Sequence, residues 1–423
     1  MVRRIRNLLS IILNRILYAC SKFANLLAVQ SVRIGIGNKI TVQIFQSKKR
    51  HTFFGYYDLS PFSHDGSKVL AIQTDHPLNT PVPFSKVDVG YYRAERSVKD
   101  QRFTKIGESL AWCWQQGCRL QWFPKSGESK NVFYNTIKKR EYVGVVQDID
   151  TKEIVLTTPV PIYEISQCGK KGLSLNFSRL QRLRPGYGYG SLADRTESET
   201  IPKNDGIYLY DFKRDRIELL LSYDDIIRKG VLPEDHERYD HYINHLSFNP
   251  SGTRFMFLHL LSDGKRRYSR LLVCNSDGTK LTVVNDTGRA SHYTWKDDNQ
   301  LLDFCLPDGN GRMCYYLYDL DKESGSKVAH HFLQKDGHPT YLMNGNALLT
   351  DSYPNRFGFQ HLMLFDLRSN SFLMKKRLFR SKKFNSEVRT DLHPRLSADE
   401  KRICIDDEHD GYKAIKVIRV IHD

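Results

Sequence analysis

The sequence lacks several patterns that would identify a common class of protein. Its eight cysteines include no Cys-x-x-Cys pair and no regular spacing, so a disulfide framework is not indicated and a reducing compartment is the simpler interpretation. No run of about 20 apolar residues is present, which excludes a transmembrane helix. There is no glycine-rich phosphate loop, and the Asp-x-Asp strings at 148–150 and 319–321 lie in predicted hairpin turns. A nucleotide-sugar site is therefore not indicated.

Acidic residues are absent from the first 50 positions, which contain ten lysines and arginines. The net charge of the whole chain is +16, so the other 373 residues carry only +6. Because most of the excess charge belongs to the N-terminus, we predict that the protein does not bind nucleic acid.

Residues 1–31 are predicted to form a basic amphipathic helix at a membrane surface. Within residues 1–28, apolar side chains including Leu8, Ile12 and Ile16 share one helical face, and Arg15 and Lys22 lie opposite. This pattern is typical of a helix bound to anionic lipid through the surface of one leaflet. Two alternatives remain open, which are an uncleaved signal anchor of an exported protein and a helix packed on the folded domain.

The rest of the chain, residues 32–423, contains seven degenerate copies of a strand, a polar turn and a second apolar strand. Seven copies of such a hairpin predict an all-β, seven-bladed β-propeller. The last copy is one strand short, and the alternating segment 39–45 is predicted to complete it and close the ring. The copies begin at Ser60, Leu120, Tyr163, Leu246, Tyr293, Pro339 and Pro394.

Four of these repeats place a histidine at one fixed offset, three residues before an apolar or aromatic strand residue. Equivalent positions in a radial repeat point toward one axis, so these side chains are expected to converge. Histidines and nearby carboxylates together form typical metal sites, and we predict a divalent cation such as Mn, Zn, Fe or Ca. The alternative is that they are structural and form hydrogen bonds between blades. The four residues are His245, His292, His338 and His393.

Six short motifs occur in an order that resembles the seven-bladed polysaccharide lyases of the ulvan and oligogalacturonate types. The resemblance extends from about residue 51 to residue 420. The motifs are Phe54–Pro61, Gln116–Trp122, Leu173–Leu180, Arg184–Tyr189, His241–His245 and Asp391–Pro394.

This resemblance implies β-elimination on a uronic acid, in which a base removes the C5 proton after the carboxylate charge has been neutralised. It also implies that the four histidines hold the metal, as in the oligogalacturonate type. His241 is the first choice for the base, and Tyr187 or Tyr189 the second, although these tyrosines could serve only for packing. The predicted carboxylate-binding and polar contacts are Arg184, Arg195, Arg289, Arg395 and Asn244, with Arg395 also placed among the catalytic residues.

One departure from the family pattern limits which catalytic residues the resemblance can assign to this chain. The ulvan type uses histidines in early blades, whereas this chain has no histidine between positions 77 and 235. Either the chemistry lies in the later histidines, or the protein is a non-catalytic glycan-binding or scaffold protein. A membrane-surface helix without a cleavable signal would place it at the cytoplasmic face of the inner membrane, in capsule or O-antigen metabolism.

Overall fold

The seven repeats fold as seven antiparallel sheets with four strands each. In each repeat, the turn predicted from the sequence joins the first strand of the sheet to the second. In the fourth repeat, for example, β14 (Asp240–Phe248) pairs with β15 (Arg254–Ser262) across the turn at residues 249–253. Since a single sheet cannot bury its own apolar faces, neighbouring sheets pack against each other. The protein is therefore an all-β, seven-bladed propeller, as the sequence predicts.

The computed structural model describes residues 40–94, 102–124 and 129–420. Blades 1 to 4 follow one another along the chain. Their strands are β2 (His51–Phe53), β3 (Lys68–Thr74), β4 (Val87–Arg93) and β5 (Thr104–Ser109); β6 (Gln121–Trp122), β7 (Asn131–Lys138), β8 (Glu141–Asp148) and β9 (Ile154–Thr158); β10 (Glu164–Ile165), β11 (Lys171–Ser174), β12 (Gly206–Asp211) and β13 (Arg216–Ser222); and β14 and β15 with β16 (Arg267–Asn275) and β17 (Thr282–Asn285).

Blades 5 to 7 complete the ring, and the last sheet takes its fourth strand from the start of the described chain. There β1 (Ile40–Phe45) pairs antiparallel with β28, as the sequence predicts. The strands are β18 (Ala290–Trp295), β19 (Gln300–Cys305), β20 (Cys314–Asp319) and β21 (Ser324–Lys327); β22 (Thr340–Leu342), β23 (Ala347–Asp351), β24 (Phe359–Asp366) and β25 (Ser371–Phe379); and β26 (Arg395–Leu396), β27 (Arg402–His409) and β28 (Tyr412–Val420).

The longest insertion lies inside blade 3, between β11 and β12. It begins with helix α1 (Phe177–Leu183), whose N-terminus is capped by the Asn176 side chain accepting from the Arg179 backbone N–H at 2.9 Å. The buried Arg179 guanidinium donates to the carbonyls of Thr196, Thr200 and His241. These bonds fasten the insertion to blade 4, so this long loop has a fixed position. A second short helix, α2 (Tyr223–Ile227), follows β13.

The predicted amphipathic helix over residues 1–28, and the domain boundary at residue 31, lie outside the described residues. Within the described part of the chain, no helix is long and apolar enough to cross a membrane. The seven cysteines described there are free thiols, and all except Cys168 are buried.

Candidate metal and sugar site

The four histidines at the repeated offset come together in the structure. The ring centroids of His292 and His338 are 4.3 Å apart, those of His338 and His393 are 4.3 Å apart, and those of His245 and His292 are 6.3 Å apart. The ring of Tyr56, from the connection between β2 and β3, lies among them and stacks on His245 at 4.9 Å. The expected convergence of equivalent blade positions is therefore confirmed.

Two of the four histidines have a ring nitrogen ready to bind a ligand. The Nε2 atoms of His338 and His393 are buried and have no hydrogen-bond partner among the described residues, and the same holds for Oδ1 of Asp391. Ligand atoms of these three residues lie within 4.8 Å of one another. Burying an unpaired polar atom is costly, so three such atoms on neighbouring residues fit a ligand that the residues share. Two imidazoles and a carboxylate fit a divalent cation such as Mn or Zn.

The other two histidines are satisfied by protein groups. His245 Nδ1 lies 3.3 Å from the Tyr163 hydroxyl, and its Nε2 lies 3.1 Å from Nδ2 of Asn244. His292 Nδ1 lies 2.8 Å from Asp336, and its Nε2 lies 3.3 Å from the hydroxyl of Tyr353. The four histidines thus differ in their contacts, because both ring nitrogens of His245 and His292 have a protein neighbour.

A carboxylate on the neighbouring strand explains why His338 can offer Nε2. Its Nδ1 lies 2.9 Å from Asp351 Oδ1, at the end of β23. A carboxylate at Nδ1 fixes the proton on that nitrogen and leaves the Nε2 lone pair for a metal. His393 has a comparable neighbour in Asp406 of β27, although the Nδ1 to carboxylate distance there is 4.0 Å. Each aspartate follows its histidine by 13 residues.

Electrostatics keep His393 and Asp391 in the protonation states that a cation needs. Burial lowers the pKa of His393 well below its usual range, so the ring is neutral at pH 7. Burial alone would raise the pKa of Asp391, but the nearby Arg389 guanidinium outweighs it and the pKa falls. Metal ligands must be a neutral imidazole and an ionised carboxylate, and both conditions are met.

Tyr187 lies beside the histidines and is held by two arginines. Its ring centroid is 6.0 Å from that of His245 and 6.1 Å from that of Tyr56. Arg389 Nη2 donates to its hydroxyl oxygen at 2.8 Å, and the Arg184 guanidinium stacks over its ring at 4.7 Å. Two cations therefore lie against one phenol, one at its hydroxyl oxygen and one over its ring.

The glycines around Tyr187 allow its loop to approach the rest of the site closely. A Cβ on Gly188 would lie 2.2 Å from the carbonyl oxygen of Phe177, so only glycine fits against helix α1. Gly186 has φ +93, in the left-handed region that glycine adopts without strain. Its carbonyl accepts from the Gln115 N–H at 3.1 Å. The loop is thereby fixed over the histidines.

Several predicted site residues lie elsewhere. Tyr189 stacks flat on Phe177 at 4.3 Å, and its hydroxyl accepts from Asn135, so it serves packing. Arg195 is exposed and forms an ion pair with Glu141. Arg395 is buried, and its Nε donates to the carbonyl of Tyr56 at 3.0 Å while Nη2 pairs with Asp406 at 2.8 Å. We assign Arg395 the role of positioning the Tyr56 loop.

His241, the first choice for a catalytic base, belongs to a different cluster. Its Nε2 lies 2.9 Å from the carbonyl oxygen of His236, and its Nδ1 lies 3.0 Å from His259 Nε2. The expectation that it lies beside the four histidines is wrong, because β14 has a register shift after Asn244 and His245 has φ +58. The usual two-residue alternation therefore does not relate the two side chains.

This second cluster has only one consistent arrangement of protons. Arg270 can only donate, and it lies 2.9 Å from His259 Nδ1, so His259 carries its proton on Nε2. That proton is donated to His241 Nδ1, and His241 in turn donates to the carbonyl of His236. A further proton on either imidazole would place two donors against each other. Burial lowers the pKa of His241 to about 4 and that of His259 well below its usual range.

We expect the folded protein to lose stability as the pH falls from about 7 to about 5. Both imidazoles have a lower pKa in the folded state than an unfolded histidine at 6.5, so only the unfolded chain takes up protons in this window. Linkage gives roughly 2 kcal/mol for His241 alone by about pH 5. Urea unfolding at both pH values measures this loss, in the wild type and in His241→Gln/His259→Gln. Glutamine is chosen because it keeps a donor and an acceptor but cannot be protonated. A variant with the wild-type pH dependence, or a similar effect of exposed His64→Gln, would contradict the assignment.

Asn244, Arg184 and Arg289 are found near the site. Asn244 Oδ1 accepts from the backbone N–H of His245 at 2.9 Å, and its amide contacts the same imidazole, so it orients His245. Arg184 covers Tyr187 as described above. Arg289 lines a cleft next to Tyr353 and Asp336, the two partners of His292.

Comparison with solved structures shows the same fold in two lyases. An oligogalacturonate lyase in complex with manganese is 15% identical with a TM-score of 0.62, over 92% of this chain and 95% of that chain. An oligogalacturonate lyase from Vibrio parahaemolyticus is 12% identical with a TM-score of 0.61, over the same shares. The seven-bladed architecture that the motif order implied is thus confirmed by structure. No protein-family model and no curated protein sequence matches the chain.

Sequence reasoning missed three residues of the site. Arg389 holds both Asp391 and Tyr187, Asp351 orients His338, and the Tyr353 ring lies 5.6 Å from His338. The common 13-residue spacing from histidine to aspartate could have indicated Asp351. Arg389 lies in an irregular connection before β26, where no repeat pattern applies, so its position could not be predicted.

Proposed function

We propose that the protein acts on oligosaccharides or polysaccharides containing uronic acid, by β-elimination at a divalent-cation site. The observation that carries this proposal is the set of three unpartnered ligand atoms on His338, Asp391 and His393, beside a tyrosine held by two arginines. The fold shared with oligogalacturonate lyases supports it. So does the manganese in one of those lyases.

A cation held by His338, Asp391 and His393 would draw charge from the substrate carboxylate and make the neighbouring C5 proton more acidic. Tyr187 would serve as the base through its hydroxyl oxygen, which Arg389 holds in place. As the electron pair of the C5–H bond forms the C4–C5 double bond, the C4–O bond would break. The departing oxygen would take a proton from water.

The tyrosines around the histidines would bind the sugar. Tyr56 lies 4.9 Å from His393 and Tyr353 lies 5.6 Å from His338, between ring centroids, and Tyr187 lies 6.1 Å from Tyr56. Aromatic faces pack on the apolar faces of sugar rings, while hydroxyl groups bind the ring substituents. The metal would thus orient the carboxylate, and the tyrosines the ring.

Activity can be tested by incubating the protein with oligogalacturonate and other acidic glycans and following the absorbance of unsaturated uronate. We expect a rate that depends on added Mn²⁺ and is abolished by a chelator. Tyr187→Phe should lower the rate by roughly 10²-fold or more, because a positioned proton acceptor contributes about that much. The matched control is Tyr316→Phe, on β20 of blade 5, and should keep the wild-type rate. No absorbance change with any uronate would refute elimination.

Glycan binding without cleavage is the second candidate function. Two of the four histidines have both ring nitrogens bonded to protein groups, which favours a structural role for that half of the set. A non-catalytic protein would bind the acidic glycan in the same assay and form no unsaturated product.

A further inference from the structure

A cleft lies beside the histidine site, between blades 5 and 6, and neither the metal nor the base described above uses it. Its volume is about 520 Å³, which is within the range of sites that hold a small ligand. Arg289 precedes β18, Arg312 lies in the connection from β19 to β20, and Lys335 lies between β21 and β22. Three separate connections therefore bring three cations to one concavity.

None of these three cations has an acidic partner in the described part of the chain. This differs from Arg195 and Arg254, which pair with Glu141 and Asp321. The cleft also contains one carboxylate, Asp336, whose oxygens bond to Ser291, His292 and the Gly337 N–H. Three cations against one anion leave a positive potential in the concavity, which attracts anions. The cleft therefore fits a negatively charged ligand.

The cleft is connected to the candidate metal centre through two shared residues. Asp336 and Tyr353 line it, and both contact the ring nitrogens of His292. The Tyr353 ring also lies 5.6 Å from His338, between centroids. The side chains of Phe304 and Met313 supply an apolar wall. A sugar in the cleft would thus be the neighbour of a sugar at the metal centre.

We propose that this cleft is a subsite for a second acidic sugar of the same chain, with Arg289, Arg312 and Lys335 recognising its carboxylate. This inference rests on the proposed function. It adds that the protein selects oligomers in which consecutive sugars are charged, over single uronic acids. Arginine matches the planar geometry of a carboxylate with paired donors, while lysine contributes a single charge.

The test compares the affinities of trigalacturonate and galacturonate, measured by calorimetry with Mn²⁺ present. The Tyr187→Phe background is used so that the trimer is not cleaved. We expect the trimer to bind at least about tenfold tighter than the monomer. Adding Arg312→Gln and Lys335→Gln should remove that gain and leave monomer affinity unchanged. Lys265→Gln with Arg266→Gln, two exposed cations of the β15 to β16 turn, is the charge-matched control and should keep the gain.

The outcomes separate the two proposals. If the trimer binds no tighter than the monomer, or keeps its advantage in the Arg312 and Lys335 variant, the subsite is refuted while the metal centre stands. If neither galacturonate binds in the presence of Mn²⁺, the proposed function fails and the subsite fails with it. Loss of the gain in the variant at low salt, with little difference between the proteins at high salt, supports the subsite, because screening weakens exposed charges.

Discussion

Replacing His338 or His393 with alanine is expected to reduce the Mn²⁺ affinity of the protein by at least about 100-fold. Each change removes a buried Nε2 atom that has no hydrogen-bond partner among the described residues, from a group that also contains Asp391. Removing even a residue that only orients a metal ligand typically costs about 10- to 100-fold, so loss of the ligand itself should cost more. Asp351→Asn, which disturbs the partner of His338 Nδ1, should fall in that lower range. Calorimetry or equilibrium dialysis with metal analysis measures all three.

His292→Ala and His245→Ala distinguish a three-residue site from a four-histidine site. The nitrogens of these rings contact Asp336, Tyr353, Tyr163 and Asn244, so their removal should change Mn²⁺ affinity by less than about tenfold. Exposed His64→Ala is the control for loss of a surface histidine. If His292→Ala abolished binding as fully as His338→Ala, the ligand set named here would be wrong. Circular dichroism of each variant verifies that the propeller remains folded.

Arg119→Met should lower the free energy of unfolding by about 3–5 kcal/mol, the largest stability effect we expect in the molecule. The Arg119 guanidinium is buried and binds both carboxylate oxygens of Asp58, at 3.1 and 2.9 Å. Its Nε also donates to the carbonyl of Tyr163 at 2.6 Å. Methionine would fill the space but leave the Asp58 carboxylate buried without a partner. Urea unfolding at neutral pH gives the difference.

Two further variants separate the ion pair from general disruption of the core. Adding Asp58→Asn to Arg119→Met should recover part of the lost stability, since the uncompensated charge is removed. Arg195→Met breaks an exposed pair with Glu141 and should cost no more than about 1 kcal/mol. If Arg119→Met and Arg195→Met lowered the free energy of unfolding equally, burial would not determine how much an ion pair contributes to stability. The Tyr163 hydroxyl lies against His245, so Arg119→Met should also disturb the site.

The sequence predicted the parts of the molecule that follow the repeat. These parts are the seven hairpins, the closing strand and the convergence of the four histidines. Each depends on positions that are equivalent from one repeat to the next, and such positions can be recognised in the sequence because the pattern is periodic. The roles of individual residues were less predictable. His241 and His245 are four residues apart and would share a face of a regular strand, but the register shift after Asn244 and the left-handed backbone of His245 itself break this alternation.

Residues in irregular connections were the hardest to predict. Arg389 and Tyr353 reach the site from segments outside the repeated hairpin, and their roles depend on contacts with Tyr187 and His292 that are distant in sequence. Tyr187 and Tyr189 look equivalent in the sequence, yet one faces the histidines and the other packs on Phe177. Only the three-dimensional path of the loop separates them.

The backbone at His245 and His393 has a consequence for engineering this propeller. Both residues have left-handed conformations, with φ of +58 and +44, which glycine tolerates better than any residue with a Cβ. Glycine at either position would relieve the backbone, but it would also empty the space that a buried imidazole fills. At position 393 it would in addition remove a ligand atom, so relief of the backbone strain there cannot be separated from loss of packing and of metal affinity.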